Sequence, residues 1–224
     1  MIAPHDFWQE IYPPATFATD RMHHDFYPAT LPDGRQFRLP IRVLPGDGTS
    51  ESTRAVASLI VNQASFAVQD ALADAMAEIW HDTADVVVGV PTLGLPLAND
   101  LARRLGHQRM VALGTSRKFW YDPALSEPLK SITTPGGGKD IYLDPRMLPL
   151  LTGRRVLLVD DVVSSGSSLA AVLRLLDKAG ITPVGVAVAM EQGTLWREVV
   201  PGAERVRGVF RTPILTILAE GFSG

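Results

Sequence analysis

VLLVDDVVSSGSS, residues 156–168, is the stretch on which the reading of this chain turns. Val156, Leu157, Leu158 and Val159 form a short apolar run of the kind found in a buried strand of a parallel sheet. Asp160 and Asp161 stand where that strand is expected to end. Ser164, Ser165, Gly166, Ser167 and Ser168 follow as a small-residue loop. Beyond it Leu169, Val172, Leu173 and Leu176 recur at helical spacing, and Gly180 supplies a stop. The pattern is strand, acidic pair, hydroxyl-and-glycine loop, helix.

A helix N-terminus offers unpaired N–H groups and the positive end of the macrodipole. Hydroxyls and a glycine just before it let backbone wrap a phosphate. Two carboxylates beside a phosphate make sense if they accept hydrogen bonds from sugar hydroxyls or sit near a cation. A ribose with a phosphate at one end and Mg²⁺ at the other fits that description. The chain has no Gly-x-x-x-x-Gly-Lys and hence no P-loop. A phospho-acceptor domain also has acids at a strand end, but lacks the Ser-Ser-Gly loop. A hydrolase elbow would need a histidine after its serine, and the last histidine is His107.

Residues 156–168 closely resemble the PRPP-binding motif of the type I phosphoribosyltransferases, PRPP being 5-phosphoribosyl 1-diphosphate. The resemblance implies an α/β fold, a mostly parallel twisted sheet flanked by helices. It implies that Asp160 and Asp161 bind the ribose hydroxyls. It gives the 5-phosphate to Ser164, Ser165, Gly166, Ser167 and Ser168, and brings Mg²⁺ in through PRPP, near the two aspartates. Transfer of the 5-phosphoribosyl group to a nitrogenous base, a purine of the adenine kind, with release of diphosphate, is the implied activity. Purine salvage, a homodimer and a cytoplasmic location come with it. Some relatives keep the PRPP site and act as regulators, typically with an added nucleic-acid-binding part. That alternative has no separate basic region to draw on here.

The rest of the chain is consistent with one such domain. Its 224 residues are 46% apolar and 20% charged, enough for a sizeable core. A net charge of −3 argues against nucleic acid or membrane as the main partner. The first ten residues lack a basic-then-apolar leader pattern. There is no cysteine, so disulfides and thiolate metal sites are excluded. His5, His23, His24, His81 and His107 show no metal-ligand spacing. Division into 1–49 (hairpin and hood segment), 50–191 (α/β core) and 192–224 (C-terminal extension) is expected.

Residues 26–44 read as a β-hairpin turning at Asp33-Gly34. Phe37, Leu39, Ile41 and Val43 are expected on the buried face, and Gln36, Arg38, Pro40 and Arg42 on the other. Residues 50–80 read as helix, capped by Ser50. Residues 85–90 read as a buried strand running into Pro91, Thr92, Leu93 and Gly94, with a helix opening near Pro96. By resemblance that turn is the diphosphate-binding loop. Residues 109–113 read as a further strand. The basic pair Arg117 and Lys118 after it matches a pair that reaches the diphosphate in adenine-type relatives.

Residues 119–139 show no clean period and lie where the family has its closing loop, which excludes water from the reacting sugar. Trp120, Tyr121, Lys130, Ser131, Thr133, Thr134 and Lys139 are its candidates for closure. Ser164 occupies a place that carries an aspartate in hypoxanthine-guanine relatives, which argues for an adenine-like or other nucleobase, or for a proton acceptor from the loop, where Glu127, the only acid in its middle, is the candidate. Residues 141–143 read as a returning strand, 184–190 as another buried strand, and 206–218 as an apolar edge strand interrupted by Pro213. The hairpin and this last strand are the candidates for a hood over the base.

Overall fold

The computed structural model describes residues 2–46, 53–129 and 139–224. Strands β1 (Phe26–Thr30) and β2 (Gln36–Val43) form the antiparallel hairpin, with Phe26 opposite Pro40 and Thr30 opposite Gln36. The expected alternation along β2 fails. Gln36 and Pro40 are buried and Val43 is 56% exposed. The irregular N-terminal segment covers the face assigned to solvent, and Gln36 pays its polarity back through hydrogen bonds to both backbone groups of Phe17.

The helix expected from Ser50 is corrected. Residues 47–52 lie outside the described residues. Strand β3 (Arg54–Ala57) comes next, then a 3₁₀ turn, Val61–Gln63, and only then α1 (Phe66–Trp80). Ser65, not Ser50, is the cap, its Oγ accepting from the Val68 N–H at 3.3 Å. Val56, Leu59 and Ile60 mimic a helical stripe, but Val56 lies in a strand too short for its own period to show, and Leu59 and Ile60 lie beyond its end.

Strand β4 (Val86–Gly89) leads to α2 (Gly94–Arg104), and Pro96 is the third residue of that helix. Strand β5 is shorter than expected, Val111–Ala112. Within the stretch expected to be irregular, β6 (Ser126–Leu129) and β7 (Lys139–Tyr142) pair as a small antiparallel ribbon, Glu127 opposite Ile141. Residues 130–138, with Lys130, Ser131, Thr133 and Thr134, lie outside the described residues. A short helix, α3 (Leu148–Leu151), precedes β8 (Val156–Val163), which continues through the acidic pair instead of ending before it. Then follow α4 (Ser167–Lys178), β9 (Gly185–Gln192), α5 (Trp196–Val199), β10 (Val206–Thr212), β11 (Ile214–Leu218) and β12 (Gly221–Ser223).

Two five-stranded sheets result. One is parallel throughout, in the order β10-β9-β8-β4-β5. Its central strand divides its side chains between two cores. Leu157 and Val159 pack under α1 and α2, with Leu72, Met76, Leu97 and Leu101. Val156 and Leu158 pack under α4, with Val172, Leu175 and Leu176. Burial on both faces is why β8 reads as a continuous apolar run. The second sheet is antiparallel, in the order β1-β2-β3-β11-β12. Pro213 breaks the expected C-terminal strand in two. β10 closes the edge of the parallel sheet, and β11 crosses to pair with β3. Chain ends that look unrelated in sequence therefore build one sheet.

Candidate functional site

Strands β4 and β8 are neighbours, Gly89 opposite Val159. Both are followed by a turn into a helix, so the turns of residues 90–93 and 164–166 emerge side by side at the C-terminal edge of the sheet. That edge is where open α/β sheets place their ligands. The N-termini of α2 and α4 open onto it, presenting unpaired N–H groups.

The two turns touch. A Cβ added to Gly94 would lie 2.8 Å from Asp160 Cα, 2.9 Å from its Oδ1 and 3.0 Å from the Val159 carbonyl oxygen. No side chain fits there, so the turn carrying Pro91, Thr92 and Leu93 rests directly on the acidic strand. The Val90 N–H donates to the same Val159 oxygen at 2.9 Å. The Pro91–Thr92 peptide is cis.

Asp160 and Asp161 are partly buried. Asp160 Oδ1 accepts from the Asp161 N–H at 2.9 Å. Burial pushes both carboxyl groups up, and the neighbouring Asp161 charge pushes Asp160 up further, well above the ordinary range. No arginine or lysine pairs with either carboxylate among the described residues. Two carboxylates held together without a cation are costly, and a ligand that donates hydrogen bonds or carries a cation relieves that cost.

The following loop is shaped for close approach. Gly166 caps α4 at φ +82°, and a Cβ there would meet Val200 Cγ2 at 2.8 Å and Trp196 Cα at 3.1 Å. Ser165 and Ser167 share a hydrogen bond of 2.9 Å between hydroxyls. Ser168 lies in the first turn of α4. Ser164 turns the other way and donates to Gln192 Oε1 at 3.0 Å.

Arg117 and Lys118 are exposed and leave the same edge after β5, whose end is tied to β4 by the Leu113 N–H on Gly89. Neither forms an ion pair among the described residues. Trp120 donates to Asp144 at 3.3 Å and lies under the Arg146 guanidinium, 4.5 Å from its ring centroid. Tyr121 packs near Tyr142, and Lys139 is exposed at the start of β7.

Glu127 does not reach the site. Its carboxylate is held by Lys178 at 2.8 Å and Arg174 at 3.2 Å, on the C-terminal half of α4. Arg174 is the eighth residue of that helix, so at 1.5 Å per residue it lies roughly 10 Å along the axis from the serine-rich loop that opens it. The hydrogen bond from Lys178, with that from Arg174, holds the Glu127 carboxyl below its usual range, which opposes any role as a proton acceptor.

Sequence reading did not find Gln192, which joins Ser164 to the second sheet, nor Glu191. That glutamate is 4% exposed and bound by Arg197, Arg211 and the Gly208 N–H. A Glu-Gln pair ending an apolar strand was the available signal.

Residues 61–210 match the family model described as phosphoribosyl transferase domain. An adenine phosphoribosyltransferase of Rhodococcus jostii is 35% identical over 150 residues, covering 67% of this chain and 76% of that protein. A hypoxanthine/guanine phosphoribosyltransferase of Methanosalsum zhilinae is 34% identical, over 49% of this chain and 53% of its own length. Among solved structures, APRTase from Giardia lamblia complexed with 9-deazaadenine superposes with a TM-score of 0.59 at 26% identity, covering 77% of this chain and 93% of that one.

Proposed function

This chain belongs to the phosphoribosyltransferase family, and from that membership we propose how its residues divide the work of moving a 5-phosphoribosyl group from PRPP to a purine, with release of diphosphate. The contact between Gly94 and Asp160 carries the reading, because it sets two anion-binding helix N-termini on either side of one acidic pair. Asp160 and Asp161 accept hydrogen bonds from the ribose hydroxyls. The amides of Ser164, Ser165, Gly166, Ser167 and Ser168, with the hydroxyls of Ser165, Ser167 and Ser168, hold the 5-phosphate at the start of α4. Pro91, Thr92, Leu93 and Gly94 offer backbone to the diphosphate, and Arg117 and Lys118 add positive charge at its far side.

Mg²⁺ fits this site as a companion of PRPP. The aspartates are short of positive charge, yet among the described residues no three metal-binding side chains converge. Asp160 and Asp161 would stand beside the ion, and Mg²⁺ bound with PRPP would supply positive charge to offset the negative charge of the departing diphosphate. What remains for the protein is to orient sugar and base, exclude water and spread the leaving charge. Adenine is the favoured base, supported by the Rhodococcus and Giardia relatives. The antiparallel sheet is the hood that receives it. A homodimer and a cytoplasmic location rest on the family alone.

The test is incubation with labelled PRPP, Mg²⁺ and a panel of adenine, hypoxanthine, guanine, xanthine and orotate. Nucleotide formation from adenine ahead of the others is the expected result. No nucleotide from any base would defeat the reading.

A further inference from the structure

Arg117 and Lys118 sit on an arc of chain fastened at both ends to one short stretch, residues 142–144. At the near end Gly114 and Tyr142 exchange backbone hydrogen bonds of 3.0 and 2.8 Å. At the far end the Trp120 Nε1–H donates to Asp144 Oδ2 at 3.3 Å. Burial does not hold that end, since Phe119 is 97% exposed and Trp120 is 39% exposed. The Asp144 carboxylate, itself buried, holds it. Arg146 binds the same carboxylate, its Nε 3.0 Å from Oδ1 and its Nη2 on Oδ2. Its guanidinium lies 4.5 Å from the Trp120 ring centroid, so Trp120 is gripped by its N–H and by its ring face. Hydrogen bonds from the Arg146 side chain lower the Asp144 carboxyl to about 2 and keep it ionised. Asp144 and Arg146 cancel in charge. With a cation of its own, Asp144 makes no claim on Arg117 or Lys118.

We infer that Asp144 and Trp120 are positioning residues that fasten the loop carrying Arg117 and Lys118, so that both cations are held ready for the diphosphate end of PRPP. The inference rests on the proposed assignment of that pair and deepens it. Cations on a loose loop lose attraction to the cost of ordering the loop. A loop fixed beforehand leaves only the side chains to be ordered. The anchor is itself braced by regular structure. Strand β7 pairs with β6, and Glu127 of β6 is bound by Lys178 and Arg174 of α4. The basic pair is therefore tied to the same helix that Gly166 caps.

The measurement is inhibition by diphosphate and by ribose 5-phosphate, with KM for PRPP and for adenine, on the full chain. Trp120→Ala removes both grips. It should weaken diphosphate inhibition and raise KM for PRPP about threefold to tenfold, the span of one partly exposed hydrogen bond. Inhibition by ribose 5-phosphate, which carries no diphosphate, and KM for adenine should stay within about twofold. General loosening of the site would move all four together. Trp120→Phe keeps a ring but no N–H; it should fall between Trp120→Ala and wild type, and it carries the test if Trp120→Ala does not fold. Asp144→Asn with Arg146→Gln dissolves the anchor at constant net charge and should reproduce Trp120→Ala. In a chain already carrying Arg117→Gln and Lys118→Gln, Trp120→Ala should change diphosphate inhibition by less than about twofold, because no charge is left to place. Equal weakening of diphosphate and ribose 5-phosphate, or an undiminished Trp120 effect in that background, would overturn the assignment. Diphosphate inhibition that depends on Arg117 and Lys118 but not on Trp120 defeats this inference alone. Indifference to the Arg117 and Lys118 charges defeats the basic-pair assignment with it, and a wild-type chain inactive on every base defeats the transferase reading as well.

Discussion

Replacing Gly94 by alanine tests the contact on which the site depends. The added Cβ would stand 2.8 Å from Asp160 Cα and 3.0 Å from the Val159 carbonyl oxygen. Carbon atoms in ordinary contact keep about 3.5–4.0 Å, so the two groups must part by at least ~0.7 Å. The atoms in the way are backbone of β8, which is hydrogen-bonded to β4 on one side and β9 on the other. The strand is pinned, so the turn at residues 91–93 must move. Misplacing a binding group by about 1 Å is enough to cost ~100-fold in rate, and overpacking of this kind costs about 1–3 kcal/mol of stability. For a chain of this size each kcal/mol lowers Tm by about 2–4 °C. The variant should therefore melt about 2–12 °C lower and lose one to two orders of magnitude in kcat/KM for PRPP, measured by steady-state kinetics beside calorimetry. If kcat/KM for PRPP stays within about twofold of wild type and Tm does not move, the turn has slack and the argument for a fixed juxtaposition is wrong.

Asp160→Asn should abolish PRPP binding by titration calorimetry while raising the ligand-free Tm at pH 7.5. The sign follows from burial and from Asp161, which raise the folded pKa of Asp160. The unfolded chain then sheds this proton from about pH 4 upward while the folded chain holds it, so wild-type stability falls as pH rises through that window. The gain in the variant should shrink toward pH 4, and a variant no more stable than wild type at pH 7.5 would contradict the account. Glu127→Gln should leave kcat within about twofold and lower stability by ~1 kcal/mol or less, since its ion pairs with Lys178 and Arg174 reach solvent. That contribution is present above the ordinary carboxyl pKa and fades as pH falls through the depressed one, so the two proteins should converge in Tm under acid; a large loss of kcat would restore Glu127 as a base. Removing the charges of Arg117 and Lys118 together should raise KM for PRPP about tenfold or more and weaken product inhibition by diphosphate in parallel; unchanged diphosphate inhibition would place the pair outside the site.

The motif at residues 156–168 was legible because the elements it is built from are contiguous. The strand that carries the acids, the loop and the helix follow one another, and each is set by neighbours a few residues away. Burial on both faces left β8 with no alternation to hide, and the glycine at position 166 stands where φ is +82°. The β4 turn was legible for the same reason. The helix expected from Ser50 failed because a four-residue strand, Arg54–Ala57, carries too little pattern to compete with apolar spacing that imitates a helix. The alternation in β2 failed because its second face is covered by residues far earlier in the chain.

Local order along the chain thus determined the parallel core, the acidic pair and the two strand-to-helix turns. Tertiary structure alone decided that Gly94 lies on Asp160, that Glu127 is spent on α4, and that strands from both ends of the chain share one sheet. It alone carried Gln192 across to Ala57. Periodicity and turn chemistry record what a residue meets within one element. Which distant element comes to rest against it is settled by packing the whole chain, and leaves no mark on the residues beside it.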